Sequence, residues 1–192
     1  MSSVWIVFAP LAAGDEALVN AHWIAQQTAA LVPSPTATVM GTTATRAALE
    51  AALSRCGAQV GLCLFGHGDA EAVYGADGEP AFDQDNACGH WVHAFACRTG
   101  VRLAHTASAR GVGCYLGYDT SLLVGWSMDA LPPALRALLA ALVTAASDAL
   151  RQGVRSRRAL QRSVSSAADA LVDWINQHAP DEYLGLGVLD RK

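Results

Sequence analysis

The sequence predicts an α/β fold: a mostly parallel sheet with helices on both faces, in one domain over residues 1–192. Two observations carry this. Residues 4–9 (VWIVFA), 59–65 (QVGLCLF) and 91–97 (WVHAFAC) are continuous apolar runs of strand length. They lack the polar alternation of a half-exposed sheet, so they read as strands buried on both faces. Between and after them lie segments with apolar residues at three-to-four spacing, and strands alternating with such helices build an open parallel sheet.

The elements follow in order. After the first strand, Leu18, Ala21, Ile24 or Ala25, and Ala29 mark a helix over 15–31. Asp15 and Glu16 fall in its first turn, where the helix dipole favours acids, and Pro33 ends it. Residues 36–40 form a short strand. Thr42 or Thr43 then caps a helix with the stripe Leu49, Leu53, Cys56, closed by Gly57. Further strands are expected at 59–65, 91–97 and 111–118, with a helix over 100–109. Two long helices follow, one on Leu131, Leu135, Leu138, Leu142 and Ala146, the other on Leu160, Val164, Ala167, Leu171, Ile175 and His178. Residues 183–189 suggest a last strand.

The 192 residues are 52% hydrophobic and 16% charged. A chain of this length buries roughly 70% of its extended surface on folding, so its core needs no disulfide or metal. The five cysteines are odd in number and contain no C-x-x-C, which fits a reducing, cytoplasmic compartment. The N-terminus lacks a basic leader region, and its apolar run is far shorter than the ~20 residues of a membrane span. The expectation is no targeting segment and no membrane partner. A net charge of −4 argues against nucleic acid as a partner. Arg151, Arg155, Arg157, Arg158 and Arg162 nonetheless cluster between the two long helices. They read as a solvated face with a dipole-compensating Arg151, or as a docking surface for an acidic partner.

Residues 68–90 interrupt the pattern. This Gly-, Asp- and Asn-rich stretch has no helical period, and a hairpin of 72–74 against 81–82 is the most structure it supports. Long loops in compact domains are usually functional. This one joins two strand ends that carry chemistry, Phe65-Gly66-His67-Gly68 and Ala96-Cys97-Arg98-Thr99. Ligands of open parallel sheets sit beyond the carboxyl ends of the strands. If the two strands are neighbours, about 4.8 Å apart, an imidazole and a thiol come within bridging reach. His67 is then the general base and Cys97 the nucleophile. The Gly68 amide can serve an oxyanion hole, and Thr99 is expected to cap the next helix so that its dipole lowers the Cys97 thiol pKa, with Arg98 assisting.

Apolar strand plus His-Gly, then apolar strand plus Ala-Cys-x-x-Gly, a helix and a strand ending in Gly-Tyr-Asp resembles the caspase-like cysteine peptidases, most closely their CHAT branch. The resemblance spans residues 62–119. It implies a caspase-like, flavodoxin-like sheet, Cys97 and His67 as catalytic dyad, and the Gly68 and Cys97 amides facing the oxyanion. It also implies a substrate pocket around Asp15, Arg98 and Asp119, with the 68–90 loop gating or shaping the groove. A bacterial effector protease that cuts a specific partner protein with no cofactor, either standing alone or activated by another protein, is the activity implied.

Other readings stand beside this one. The strand ends could hold a non-catalytic flavodoxin-like interaction surface, or the thiol could serve a small-molecule hydrolase. Cys56, Cys63 and Cys114 read as core. Cys88, His90 and His93 lack an evident fourth zinc ligand, and Asp83, Asp85 and Asn86 lack the glycine and glutamate of a calcium loop, so no metal is expected. Asp119 is either an acidic specificity group or a turn cap. G-x-x-x-x-G-K-[ST], G-x-G-x-x-G and G-x-S-x-G are all absent, which argues against phosphate chemistry and a serine elbow.

Overall fold

A computed structural model of the chain describes residues 4–31, 36–57, 59–121 and 131–178. Internal contacts group the chain into two compact units, Met1–Ala130 and Leu131–Lys192.

The first unit is α/β. Strands β1 (Trp5–Pro10), β2 (Thr36–Gly41), β3 (Gly61–Phe65), β6 (Trp91–Phe95) and β7 (Tyr115–Leu116) form one sheet in the order β2-β1-β3-β6-β7. All neighbours are parallel. Helices α1 (Glu16–Ala30), α2 (Arg46–Cys56) and α3 (Leu103–Ala109) make the crossovers. The step from β1 to β2 runs opposite to the steps β2 to β3 and β6 to β7. Right-handed crossovers therefore place α1 on one face and α2 with α3 on the other. Packing agrees: Ile6, Phe8, Leu62, Leu64, Val92 and Ala94 share a core with Leu49, Ala52, Leu103 and Ala107. Helix α1 rests on β1, β2 and β3 with Leu18, Ala21, Ile24 and Ala25 buried, none of them in that core. The expected flavodoxin-like, two-faced parallel sheet is what the chain forms.

The α1-side face is aromatic. Trp5 and Trp91 lie 5.6 Å apart between ring centroids, and Phe65, His93, Phe95 and Tyr118 form a second group. Gly61 faces Trp91 so closely that a Cβ there would stand 2.2 Å from the indole.

Between β3 and β6 the crossover is the hairpin that the glycines and aspartates indicated, β4 (Ala72–Tyr74) against β5 (Pro80–Asp83). Val73, Ala81 and Phe82 are buried in the α2–α3 core. Several local boundaries differ from expectation. Thr45, rather than Thr42 or Thr43, caps α2 through the Ala48 amide. The last sheet strand shrinks from the expected 111–118 to the two residues of β7, and α3 starts at Leu103 instead of 100. The expected strand at 183–189 lies outside the described residues.

The second unit contains α4 (Pro133–Arg151) and α5 (Arg157–His178), packed against each other. Leu135, Leu139, Leu142, Ala146 and Leu150 are buried on α4, and Leu160, Leu171 and Ile175 on α5. Leu139 takes the place expected for Leu138, which is only partly buried. By length and composition α4 alone among the described residues is long and apolar enough to cross a membrane. In the arginine cluster, Arg151 pairs with Asp148 at 2.6 Å. Arg155 caps the end of α4 by donating to the Leu150 and Val154 carbonyls. Arg157, Arg158 and Arg162 are exposed at the start of α5.

Candidate active site

The site is built on the register of β3 against β6. Cα partners run from Gly61 with Trp91 to Phe65 with Phe95, and the Gly66 amide continues the ladder to the Phe95 carbonyl at 3.3 Å. His67 and Cys97 are each two residues past the Phe65–Phe95 pair. Both residues thus follow the carboxyl ends of adjacent strands, and the neighbouring of β3 and β6 is as the sequence reading required. The half-buried Cys97 and half-exposed His67 are both reachable from solvent.

Asp15 joins them from a third element. It follows β1, the other neighbour of β3, and its Oδ2 lies 2.7 Å from His67 Nε2. Its Oδ1 accepts the Leu18 amide at 3.0 Å as the N-cap of α1. Partial burial pushes the Asp15 carboxyl upward, but the hydrogen bonds from His67 and Leu18 outweigh it, and the group sits below the usual carboxylate range. Asp15, expected as a pocket wall, has both oxygens engaged, one on the helix and one on the imidazole. The pair stands at the switch point of the sheet, where the connections from β1 and β3 leave toward opposite faces, the usual crevice of this architecture.

Gly68 locks the two strand ends together. A Cβ at this position would meet the Ala96 Cβ at 2.8 Å and Thr99 Cγ2 at 2.9 Å, so only glycine fits without a shift. Gly68 also bridges to Val73 through bonds of its neighbours, Asp69 N–H to the Ala72 carbonyl and Tyr74 N–H to the His67 carbonyl, both 3.0 Å. That pattern leaves the Gly68 N–H out of the bridge, which suits the oxyanion role. Asp69 Oδ1 accepts the Glu71 and Ala72 amides, and its Oδ2 accepts the Tyr74 hydroxyl at 2.6 Å. Burial opposes ionisation of Asp69; these bonds and the charge of Arg98 prevail and hold its carboxyl low. The same bond pushes the Tyr74 phenol up.

The hairpin beyond is fixed at several points. Besides its buried Val73 and Phe82, Asp83 takes a two-pronged salt bridge from Arg46 at 2.7 and 3.3 Å, and the Ala76 amide donates to the Ala44 carbonyl at 2.9 Å.

After Cys97 the chain makes a tight turn in place of the expected helix start. Thr99 does not cap α3: its hydroxyl donates back to the Ala96 carbonyl at 3.1 Å, and α3 begins without a side-chain cap. The helix is short and begins beyond the turn, so the expected dipole at Cys97 is not formed. Arg98, at φ 58°, is the one non-glycine with positive φ among the described residues. That left-handed backbone costs an L-residue about 1–2 kcal/mol. Its amide donates to the Thr120 carbonyl at 3.1 Å, and that of Gly100 to the Tyr118 carbonyl at 2.8 Å. Arg98 and Asp119, both exposed, therefore flank Cys97 on one rim.

His93 is buried within β6 among Phe65, Phe95 and Tyr118, and no three metal-binding side chains converge among the described residues. No protein-family model, curated protein or solved structure matches the chain.

Proposed function

We propose that the chain is a cysteine endopeptidase of the caspase-like, CHAT type, with Cys97 as nucleophile and His67 as general acid and base. The observation that supports this reading is the β3–β6 register: His67 and Cys97 each follow the Phe65–Phe95 pair by two residues, at the carboxyl ends of neighbouring strands. Cys97 gives its thiol proton to His67 as its sulfur attacks a peptide carbonyl carbon, and the oxyanion is received by the Gly68 and Cys97 amides. As the C–N bond breaks, the proton held by His67 passes to the departing amine. Water then adds to the thioester, giving its proton to His67. The C–S bond breaks, releasing the acid and restoring the thiol and imidazole. Arg98 and Asp119, on the rim beside the nucleophile, are placed to read the substrate side chain. A specific protein substrate, cleaved in a bacterial cytoplasm under control of an activating partner, fits the resemblance of residues 62–119.

Iodoacetamide labelling near pH 6, read by peptide mapping, tests the dyad. An ordinary thiol, with a pKa of about 8.5, reacts slowly there. Cys97 should label faster than Cys56, Cys88 and Cys114 and slow down in His67→Ala. Uniformly slow labelling would favour a non-catalytic interaction module.

A further inference from the structure

We infer that Asp15 is the positioning residue of this site, fixing the tautomer and orientation of His67; the inference rests on the reading of His67 as the base. A carboxylate only accepts hydrogen bonds, so at 2.7 Å the Nε2 of His67 carries the hydrogen. The neutral ring then keeps its lone pair on Nδ1, which becomes the nitrogen that takes and returns the proton. When the ring is protonated, the same carboxylate balances its charge.

What makes Asp15 a fixed support is its second bond. With Oδ1 held by the Leu18 amide, the carboxylate cannot turn away from His67 without uncapping α1. The imidazole is half exposed and belongs to a loop. Asp15 ties that ring to the rigid start of a helix of 15 residues. The contact links residues 52 positions apart, and it exists because β1 lies beside β3.

Two substitutions separate positioning from capping. Asn and Ser cap a helix about as well as Asp, so Asp15→Asn and Asp15→Ser retain the bond to the Leu18 amide. In Asp15→Asn the amide NH₂ then faces Nε2, forcing the lone pair onto that nitrogen and the hydrogen onto Nδ1. In Asp15→Ser the side chain is too short to reach the ring. The experiment measures iodoacetamide labelling of Cys97 from pH 5 to 8 in the full chain, with thermal unfolding as the check on folding. Both variants should unfold near the natural midpoint yet label Cys97 at pH 6 at least about tenfold more slowly, with a dependence of rate on pH that differs from the natural one. If both variants keep the natural rate and pH profile while His67→Ala slows labelling, Asp15 is only a cap and the inference is overturned. If His67→Ala itself changes nothing, the dyad fails, and the role given to Asp15 falls with it.

Discussion

Gly68 and Ala96 touch across the ends of β3 and β6, with room for no Cβ at position 68. Gly68→Ala should therefore wedge His67 and Cys97 apart. The expected cost in stability is about 1–3 kcal/mol, as for an overpacked core. The larger effect should be on chemistry, since a displacement of about 1 Å can lower a rate about 10²-fold. Urea unfolding and Cys97 labelling measure the two effects, and Ala96→Gly in the same chain should recover part of both. Full labelling in the single variant would show that the two loops move independently.

A second close contact lies deeper, between Gly61 and the Trp91 indole. Ala is ordinarily no worse than Gly in a strand, yet Gly61→Ala should destabilise by about 1–3 kcal/mol because the indole is boxed in by Trp5 and cannot yield. Adding Trp91→Leu should make the alanine nearly neutral. A double-mutant cycle measures the coupling, and additive effects would refute the packing argument.

His93 should make the protein acid-sensitive. It is fully buried, its Nε2 lies 3.2 Å from the Tyr118 hydroxyl, and burial lowers its pKa from 6.5 to about 4. The unfolded chain binds this proton more readily than the folded one. The neutral ring's contribution is thus complete above pH 6.5 and lost as pH falls toward 4, at up to about 1.4 kcal/mol per pH unit. Asp15, Asp69 and Asp83, all held below their ordinary range, act with the same sign but only near and below pH 4. Urea unfolding at pH 7 and pH 5 should differ in the natural protein and much less in His93→Phe. Equal midpoints in the natural protein would contradict this.

Arg157 and Arg158 occupy the first turn of α5, where the dipole is positive and Ser156 already accepts the Ala159 amide. Replacing each by Glu should stabilise the chain by about 0.3–1 kcal/mol at low salt, and added salt should erase the gain. Thermal unfolding at two ionic strengths checks this; a loss of stability would mean that the arginines have partners that offset the dipole.

Much of this architecture is legible in the residues. The runs at 4–9, 59–65 and 91–97 are recognisable because strands buried on both faces have no polar face to hide them. The hairpin was legible in its glycines and aspartates. Local competition was harder to read. Thr42, Thr43 and Thr45 are equally good caps, and only the turn after Gly41 selects Thr45. Thr99 has the chemistry of a cap, but the left-handed Arg98 sends its hydroxyl back to Ala96. For the site, His67 and Cys97 could be paired because each ends an apolar run. The bond from Asp15 to His67 could not, since it depends on which strand lies beside β3. The one available signal was an N-cap acid directly after the first strand, and it is equally explained by the helix it caps.

The hairpin between β3 and β6 also bears on how the chain folds. Parallel pairing cannot begin until the whole segment from Gly66 to His90 has been closed, and loop closure of that kind slows folding. Here Ala72–Tyr74 and Pro80–Asp83 can zip locally around their own turn, an event of about 1–10 μs. Once zipped, the segment is shorter in effect and already presents Val73 and Phe82 as an apolar surface on which the two strands can collapse. A crossover without a helix should thereby shorten the entropic delay, and the pairing of β3 with β6, whose ends lead into His67 and Cys97, inherits the advantage.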